Sequence, residues 1–205
     1  MKPPNSRLFA VIPAAGHSRR MGRHKLLLPL KGRTVIERLL ATLDRIEIID
    51  RAVVVRHDDD ALQQAATAAG GTVVQPPVDP PDMRQSVEFG LQQIEDRHAP
   101  RPQDGWILVP ADHPVLDSTV LDQLIDAWNR QSCSILVPTY RGRRGHPTFF
   151  RWHLVEEIRT RLPPDAGLNR LLSEHASEVC ELPLDNPAVV TDLDTPEDYA
   201  ALLND

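Results

Sequence analysis

Three stretches of this chain hold residue types at spacings that could do chemistry on phosphates. The first is Leu8–Leu30, LFAVIPAAGHSRRMGRHKLLLPL, where Ala14, Ala15 and Gly16 precede Arg19, Arg20, Arg23 and Lys25. Small residues let a ligand approach the backbone closely. Exposed N–H groups with clustered cations are what an oligophosphate requires. The second is Pro110-Ala111-Asp112-His113-Pro114, directly after an apolar run. A carboxylate held there between small and rigid residues is well placed to hold a metal ion, although Asp-x-Pro is also ordinary turn chemistry. The third is Thr191-Asp192-Leu193-Asp194-Thr195-Pro196-Glu197-Asp198-Tyr199. Thr195 as N-cap, Pro196 at the first helical position and acids in the first turn account for Thr195, Glu197 and Asp198. They do not account for Asp192 or Asp194, which taken alone read as a solvated acidic turn.

Counting residues separates the first stretch from two better-known phosphate loops. Gly16 and Gly22 have five residues between them and are followed by Arg23 and His24, whereas a P-loop needs four, then Lys and Ser/Thr. No glycine stands two after Gly16, so the dinucleotide fingerprint is missing as well. Two further segments carry weaker signals. Met83-Arg84-Gln85-Ser86-Val87 opens a helical pattern, where Ser86 is either a plain N-cap or a donor to a ligand. Tyr140–Pro147 holds Arg141, Arg143, Arg144 and His146, and reads as a solvated hairpin turn or as a grip on an acidic acceptor.

The elements that must position these residues alternate. Leu8–Pro13 reads as a buried strand feeding the basic loop. Thr34–Leu43 reads as a helix with Val35, Ile36, Leu39, Leu40 and Leu43 on one face and a Thr34/Glu37 capping box. Strands follow at 52–55, 72–75, 106–109 and 134–137, with helices at 60–69, from 83, at 118–130, 152–160 and 167–175, and late strands at 179–182 and 188–190. The helix at 118–130 turns Val120, Leu121, Leu124, Ile125 and Trp128 inward. Such alternation predicts an α/β domain with a mostly parallel sheet covered on both faces. Neither an internal repeat nor a linker divides the chain, so residues 1–205 are expected to form one domain.

Composition sets the outer limits. The chain has 205 residues, 29 acidic against 23 basic, for a net charge of -6. That argues against a general nucleic-acid partner. Its apolar runs are too short to span a bilayer, and Met1–Arg7 has no signal-peptide core. A cytoplasmic location is expected. Cys133 and Cys180 have neither disulfide-framework nor zinc spacing.

Ala14-Ala15-Gly16-His17-Ser18-Arg19-Arg20-Met21-Gly22 followed by Lys25-Leu26-Leu27-Leu28-Pro29-Leu30 resembles the signature A-A-G-x-S-x-R-M-G-x-x-K-x-L-L-P-L. That signature belongs to the MobA-like nucleotidyltransferases, especially the molybdenum cofactor cytidylyltransferase branch. The resemblance implies a Rossmann-like three-layer α/β/α nucleotidyltransferase fold. Residue by residue, it implies nucleotide binding by Ala14, Ala15, Gly16, Ser18, Gly22 and Lys25, and by Ser86 within R-x-S-V-x-x-G-L. Arg20, Lys25 and Asp112 are the implied catalytic groups. Mg²⁺ is the implied cofactor, bound by Asp112 and by Asp192, with Asp194 behind it. His113 stands where the family more usually has Gln or Met, and it is not expected to be a ligand, because Mg²⁺ prefers oxygen. Gly145-His146-Pro147 through Phe150 is similar to the acceptor-side segment, which implicates His146 and Arg144. Asp165, Gly167 and Arg170 match a family run whose surroundings differ here. Pro13-Ala14-Ala15-Gly16, in place of Leu-Ala-Gly-Gly, implies CTP over GTP.

The implied acceptor is a phosphorylated small molecule, molybdopterin, and the implied protein partner is a molybdoenzyme or its chaperone. Transfer between two anions needs charge neutralisation and in-line positioning more than a protein nucleophile. Other readings are a nucleotidyltransferase for a sugar or polyol phosphate, a redox protein, and a non-enzymatic nucleotide-binding accessory protein. The missing G-x-G-x-x-G weakens the redox reading.

Overall fold

A short apolar strand sets the frame. β1 (Leu8–Pro13) is buried along nearly its whole length, as expected of a β-branched run in a sheet covered on both faces. In chain order there follow β2 (Pro29–Leu30) and β3 (Arg33–Thr34), which pair as a small separate hairpin, and then α1 (Val35–Thr42). Next come β4 (Ile48–Val54), α2 (Asp60–Ala68), β5 (Thr72–Val74), α3 (Met83–His98), β6 (Gly105–Leu108) and α4 (Ser118–Arg130). The last part holds β7 (Ile135–Tyr140), β8 (Arg143–Arg144), β9 (Thr148–Arg151), α5 (Val155–Thr160), α6 (Asn169–Glu174), β10 (Val179–Pro183) and α7 (Pro196–Asn204). This is a computed structural model that describes residues 7–163 and 166–204. Asp165 and the first six residues therefore lie outside the described residues.

The main sheet runs β10-β7-β9-β6-β1-β4-β5, with β8 attached to β7. β1, β4, β5 and β6 are mutually parallel, as are β7 and β10. β9 is antiparallel to both of its neighbours, β6 and β7. The alternation in the sequence does not announce this strand, since Thr148–Arg151 is short and follows Pro147 directly. It exists because Arg141 and Gly142, both at positive φ, reverse the chain after β7, and the returning segment fills the gap between β6 and β7.

Helices cover both faces. α1, α2, α4 and α7 pack one apolar cluster, and α3, α5 and α6 pack the other. The Thr34/Glu37 capping box is present, and Trp128 is fully buried in the core. Gly90 has a packing reason: a Cβ there would stand 2.7 Å from Val11 Cγ1, so α3 lies unusually close to the sheet. Two local expectations change. Residues 187–190 form a 3₁₀ turn, not a strand, because the Asn186 side chain accepts from Ala188 N and Pro187 opens the turn. Ser86 is not an N-cap. Asp82 caps α3 by accepting from Gln85 N, and Ser86 sits one turn in, donating to the Asp82 carbonyl.

Chain order reverses at β1. The crossovers first run outward through β4 and β5, then return to β6 on the other side of β1. In an open α/β sheet the crevice at such a reversal, off the carboxyl ends of the strands, is where ligands bind. Here the residues beyond those ends are 14–25 after β1 and 109–117 after β6. Among the described residues no helix is long and apolar enough to cross a membrane.

Candidate active site

The loop after β1 is built to stand open. Ala14 N still donates to Val54 O across the sheet, so Ala14 continues the strand and forms the floor of the site. Ser18 and Gly22 both adopt positive φ, and Met21 and Gly22 donate back to the Ser18 carbonyl in a tight turn. Ser18 Oγ then accepts from Lys25 N at 3.3 Å. Arg56 donates to the Gly16 carbonyl, and its guanidinium lies 3.5 Å from Asp59, which also holds His24 at 2.6 Å. The loop is thereby tied to the segment after β4.

This loop walls a cavity of about 270 Å³, to which Ala14, Ala15, Gly16, Lys25, Ser86 and Asp112 all contribute, with Pro80 and Pro81 on the far side. A second recess of about 280 Å³ lies on the other flank of the loop, against Gly16, Ser18, Arg19, Gly22, Arg23 and Arg56. Ser86 is buried at the mouth of α3 and faces the first cavity. Arg84 turns away from it. Its guanidinium pairs with Glu88 and donates to the carbonyls of Ile158, Pro163 and Ala166, so it anchors α3 to α5 and the segment after it.

The carboxylates converge from two loops. Leu193 N donates to the Asp112 carbonyl at 2.8 Å, and buried Leu193 turns inward between two acids that turn outward. Lys25 Nζ lies 2.7 Å from Asp112 and 3.1 Å from Asp194, and Arg20 lies 2.8 Å from Asp194. Asp192 instead meets His113, Nε2 to Oδ1 at 2.8 Å. That bond is the main cause holding the Asp192 carboxyl below the usual carboxylate range. His146 packs edge-on to His113, with ring centroids 5.2 Å apart. Burial, then the neighbouring His113, pushes its pKa down to about 4, so it is neutral near pH 7.

The donor set suits a divalent cation. One donor atom each from Asp112, His113 and Asp192 falls within a 4.8 Å span. An ion with bonds of about 2.1 Å sets neighbouring ligand atoms about 3.0 Å apart and opposite ones about 4.2 Å apart. Two carboxylates on a half-open rim therefore fit such an ion with small adjustments.

Of the expected residues, Ala14, Ala15, Gly16, Lys25, Ser86 and Asp112 line the first cavity, and Ser18 and Gly22 the second recess. Arg20 joins Lys25 through Asp194, and Asp192 and His146 both meet His113. Arg144 does not join them; it pairs with Glu181 at 2.8 Å on β10. Two roles went unforeseen. Asp194 makes direct contact with both Lys25 and Arg20. The alternate spacing of Asp192 and Asp194 in an extended segment, with Leu193 between them, is the signal that both would face outward. His113 is in the cluster as well.

A three-layer α/β sheet with a basic glycine-marked loop and facing carboxylates at its switch point defines a nucleotidyltransferase. The MobA-like NTP transferase domain profile matches residues 10–179, and the chain belongs to that family. It is 28% identical over 213 residues to the purine catabolism protein PucB of Bacillus subtilis, spanning 94% of each chain. Among solved structures it is similar to Rv0371c of Mycobacterium tuberculosis, with TM-score 0.79, 26% identity and 98% of each chain covered. A manganese complex of Rv0371C aligns with TM-score 0.73 and 26% identity over 97% of this chain and 99% of that one. A nucleotidyl transferase from Methanothermobacter thermautotroptrophicus shares the fold, with TM-score 0.76 and 22% identity over 97% of this chain and 96% of that one.

Proposed function

We propose that this nucleotidyltransferase moves CMP from CTP to molybdopterin and releases pyrophosphate. The observation that carries the site assignment is Lys25, whose ammonium bridges Asp112 and Asp194 at the mouth of the cavity. A cation poised between the phosphate loop and the carboxylates can pass from carboxylate to phosphate oxygen as a nucleotide enters.

The residues divide the work as follows. Backbone groups from Ala15 to Gly22 receive the triphosphate, with Ala14 as the floor. Ser86 and the small side chains of Ala14 and Ala15 leave room for base and ribose. Lys25 and Arg20 balance charge on the α-phosphate and on the departing pyrophosphate. Asp112 and Asp192 would hold a divalent cation, Mg²⁺ by the family resemblance, which when bound would neutralise phosphate charge and orient the α-phosphorus. An acceptor phosphate oxygen then attacks the α-phosphorus, a new P–O bond forms, and the bond to the β-phosphate oxygen breaks. The attacking phosphate is already ionised near pH 7, so the chain need not supply a general base. His146, neutral and half-buried, forms part of the acceptor-side wall.

The choice of CTP rests on Pro13-Ala14-Ala15-Gly16, and the choice of molybdopterin on the signature as a whole. The test is pyrophosphate release with CTP, GTP, ATP or UTP against molybdopterin and a panel of sugar and polyol phosphates. Turnover confined to CTP and molybdopterin is expected. Turnover with a sugar or polyol phosphate alone would replace the acceptor, and turnover with GTP would replace the base.

A further inference from the structure

We propose that His113 is a third, nitrogen ligand to the divalent ion at the Asp112–Asp192 site, and that it turns the preference of that site from Mg²⁺ toward Mn²⁺. The proposal rests on the reading that those two carboxylates hold a cation.

Position is the first argument. His113 follows Asp112 directly in the loop after β6, and is only 4% exposed. Its Nε2 lies 2.8 Å from Asp192 Oδ1, close to the spacing of about 3.0 Å expected between neighbouring ligands of one ion. With Asp112 it completes a three-donor set within 4.8 Å.

The second argument is the state of the ring. His113 Nδ1 is buried and has no hydrogen-bond partner among the described residues. A buried polar atom left unsatisfied costs about 1–3 kcal/mol, so such an atom in a folded protein calls for an explanation. A ligand histidine gains as much as any other from a partner on its second nitrogen, so the bare Nδ1 tells only which nitrogen faces the site: Nε2, held toward Asp192. His146 closes the remaining side of the ring at 5.2 Å, fixing its plane without a hydrogen bond to it.

The third argument is donor chemistry. Mg²⁺ demands oxygen ligands in near-ideal octahedral geometry and keeps much of its water. Imidazole suits transition-metal ions far better. An aspartate–histidine–aspartate set thus gains from Mn²⁺ what it cannot gain from Mg²⁺. Glutamine at position 113 would restore an oxygen donor of similar reach, and should restore the Mg²⁺ preference.

The experiment uses the whole chain and needs no turnover. Mn²⁺ is titrated into the protein, binding is followed by loss of the free-ion electron paramagnetic resonance signal, and nitrogen hyperfine coupling is measured on the bound ion. The measurement is repeated with ¹⁵N-histidine-labelled protein and with His113→Gln. The expected result is a directly coordinated ¹⁴N coupling that changes to the ¹⁵N pattern on labelling and vanishes in His113→Gln. In that variant the Mn²⁺-over-Mg²⁺ affinity ratio should fall about tenfold or more. Bound Mn²⁺ without nitrogen coupling in the unmodified protein would overturn the proposal while leaving the carboxylate site standing. Coupling that survives His113→Gln would overturn it in favour of His146. Failure of Mn²⁺ to bind at all would remove the carboxylate site, and the proposal with it.

Discussion

Lys25 is held by carboxylates from two different loops, 2.7 Å from Asp112 and 3.1 Å from Asp194. An ammonium so placed competes with any cation for Asp112, since unit charges a few ångströms apart interact by about 4 kcal/mol at a surface-like dielectric. Replacing it should therefore separate binding from chemistry. Lys25→Met is expected to tighten divalent-ion binding about tenfold and to lower the rate of nucleotidyl transfer about a hundredfold or more. Calorimetric titration with Mn²⁺ and a pyrophosphate-release assay read the two effects. Weaker ion binding in Lys25→Met would mean that the lysine supports the cation site. Asp194 explains why the competition is not simply a fixed pair: it holds Arg20 as well as Lys25, so both cations are kept close to where phosphate charge would arrive.

At the scale of elements, the loop from β8 to β9 is pressed against the 3₁₀ turn at 187–190. His146 N donates to Val189 O at 2.7 Å, and Gly145 N donates to Pro138 O at 2.9 Å. A Cβ on Gly145 would fall 2.0 Å from Val189 O, a backbone atom that cannot move alone. Gly145→Ala should push that turn outward, and with it the 191–194 segment that carries Asp192 and Asp194. We expect a loss of about 1–3 kcal/mol of stability with a larger loss of turnover than of nucleotide affinity, because Ala14–Gly22 is untouched. Denaturant unfolding and a comparison of kcat with KM for the nucleotide test this; unchanged kcat would show that the two loops are not coupled.

Much of this level was legible in the sequence. The capping box at Thr34, the N-cap at Thr195 and the apolar faces of α1, α3 and α4 are local patterns that the packed structure keeps. β9, the 3₁₀ turn at 187–190 and the partner of Arg144 were not legible. The turn at 187–190 is set locally by the Asn186 side chain and Pro187, which compete with the short apolar run. β9 and the partner of Arg144 instead depend on contacts far along the chain, the gap between β6 and β7 and Glu181. The same holds within the site, where Lys25 and Asp194 stand 169 residues apart. Spacing could mark both as candidates, but only the sheet order brings them within 3.1 Å.

For the molecule as a whole, the end of the sheet opposite the site is held by one buried acid. Asp104 is fully buried and is bonded by Arg7 at 2.7 Å and Arg101 at 2.9 Å, joining the starts of β1 and β6. Burial alone would raise its pKa, but the hydrogen bonds from Arg101 and Arg7 outweigh it and hold the carboxyl below the ordinary value. A depressed folded-state pKa contributes stability that is present above the unfolded value, about 3.9, and is lost as pH falls through the folded one. Asp104→Asn should cost about 2–3 kcal/mol near pH 7, less than a fully enclosed pair because both arginines reach solvent. The corresponding drop in Tm is about 4–10 °C. The gap between the two proteins should shrink as pH is lowered below about 4, which thermal unfolding across pH 3 to 7 would detect. A gap independent of pH would show that the cost is one of shape and not of charge. Nucleotide affinity should stay unchanged, since Asp104 lies at the far end of the strands.

Nucleotidyl transfer is proposed to occur where the basic loop of residues 14–25 meets Asp112 and Asp192. The most direct measurement is single-turnover formation of pyrophosphate from CTP and molybdopterin, with and without divalent cation, by the unmodified protein and by Asp112→Asn. Cation-dependent product is expected from the former and a loss of about a hundredfold or more in the latter, with the variant still folded by circular dichroism. Cation-independent turnover, or full turnover in Asp112→Asn, would contradict the proposal.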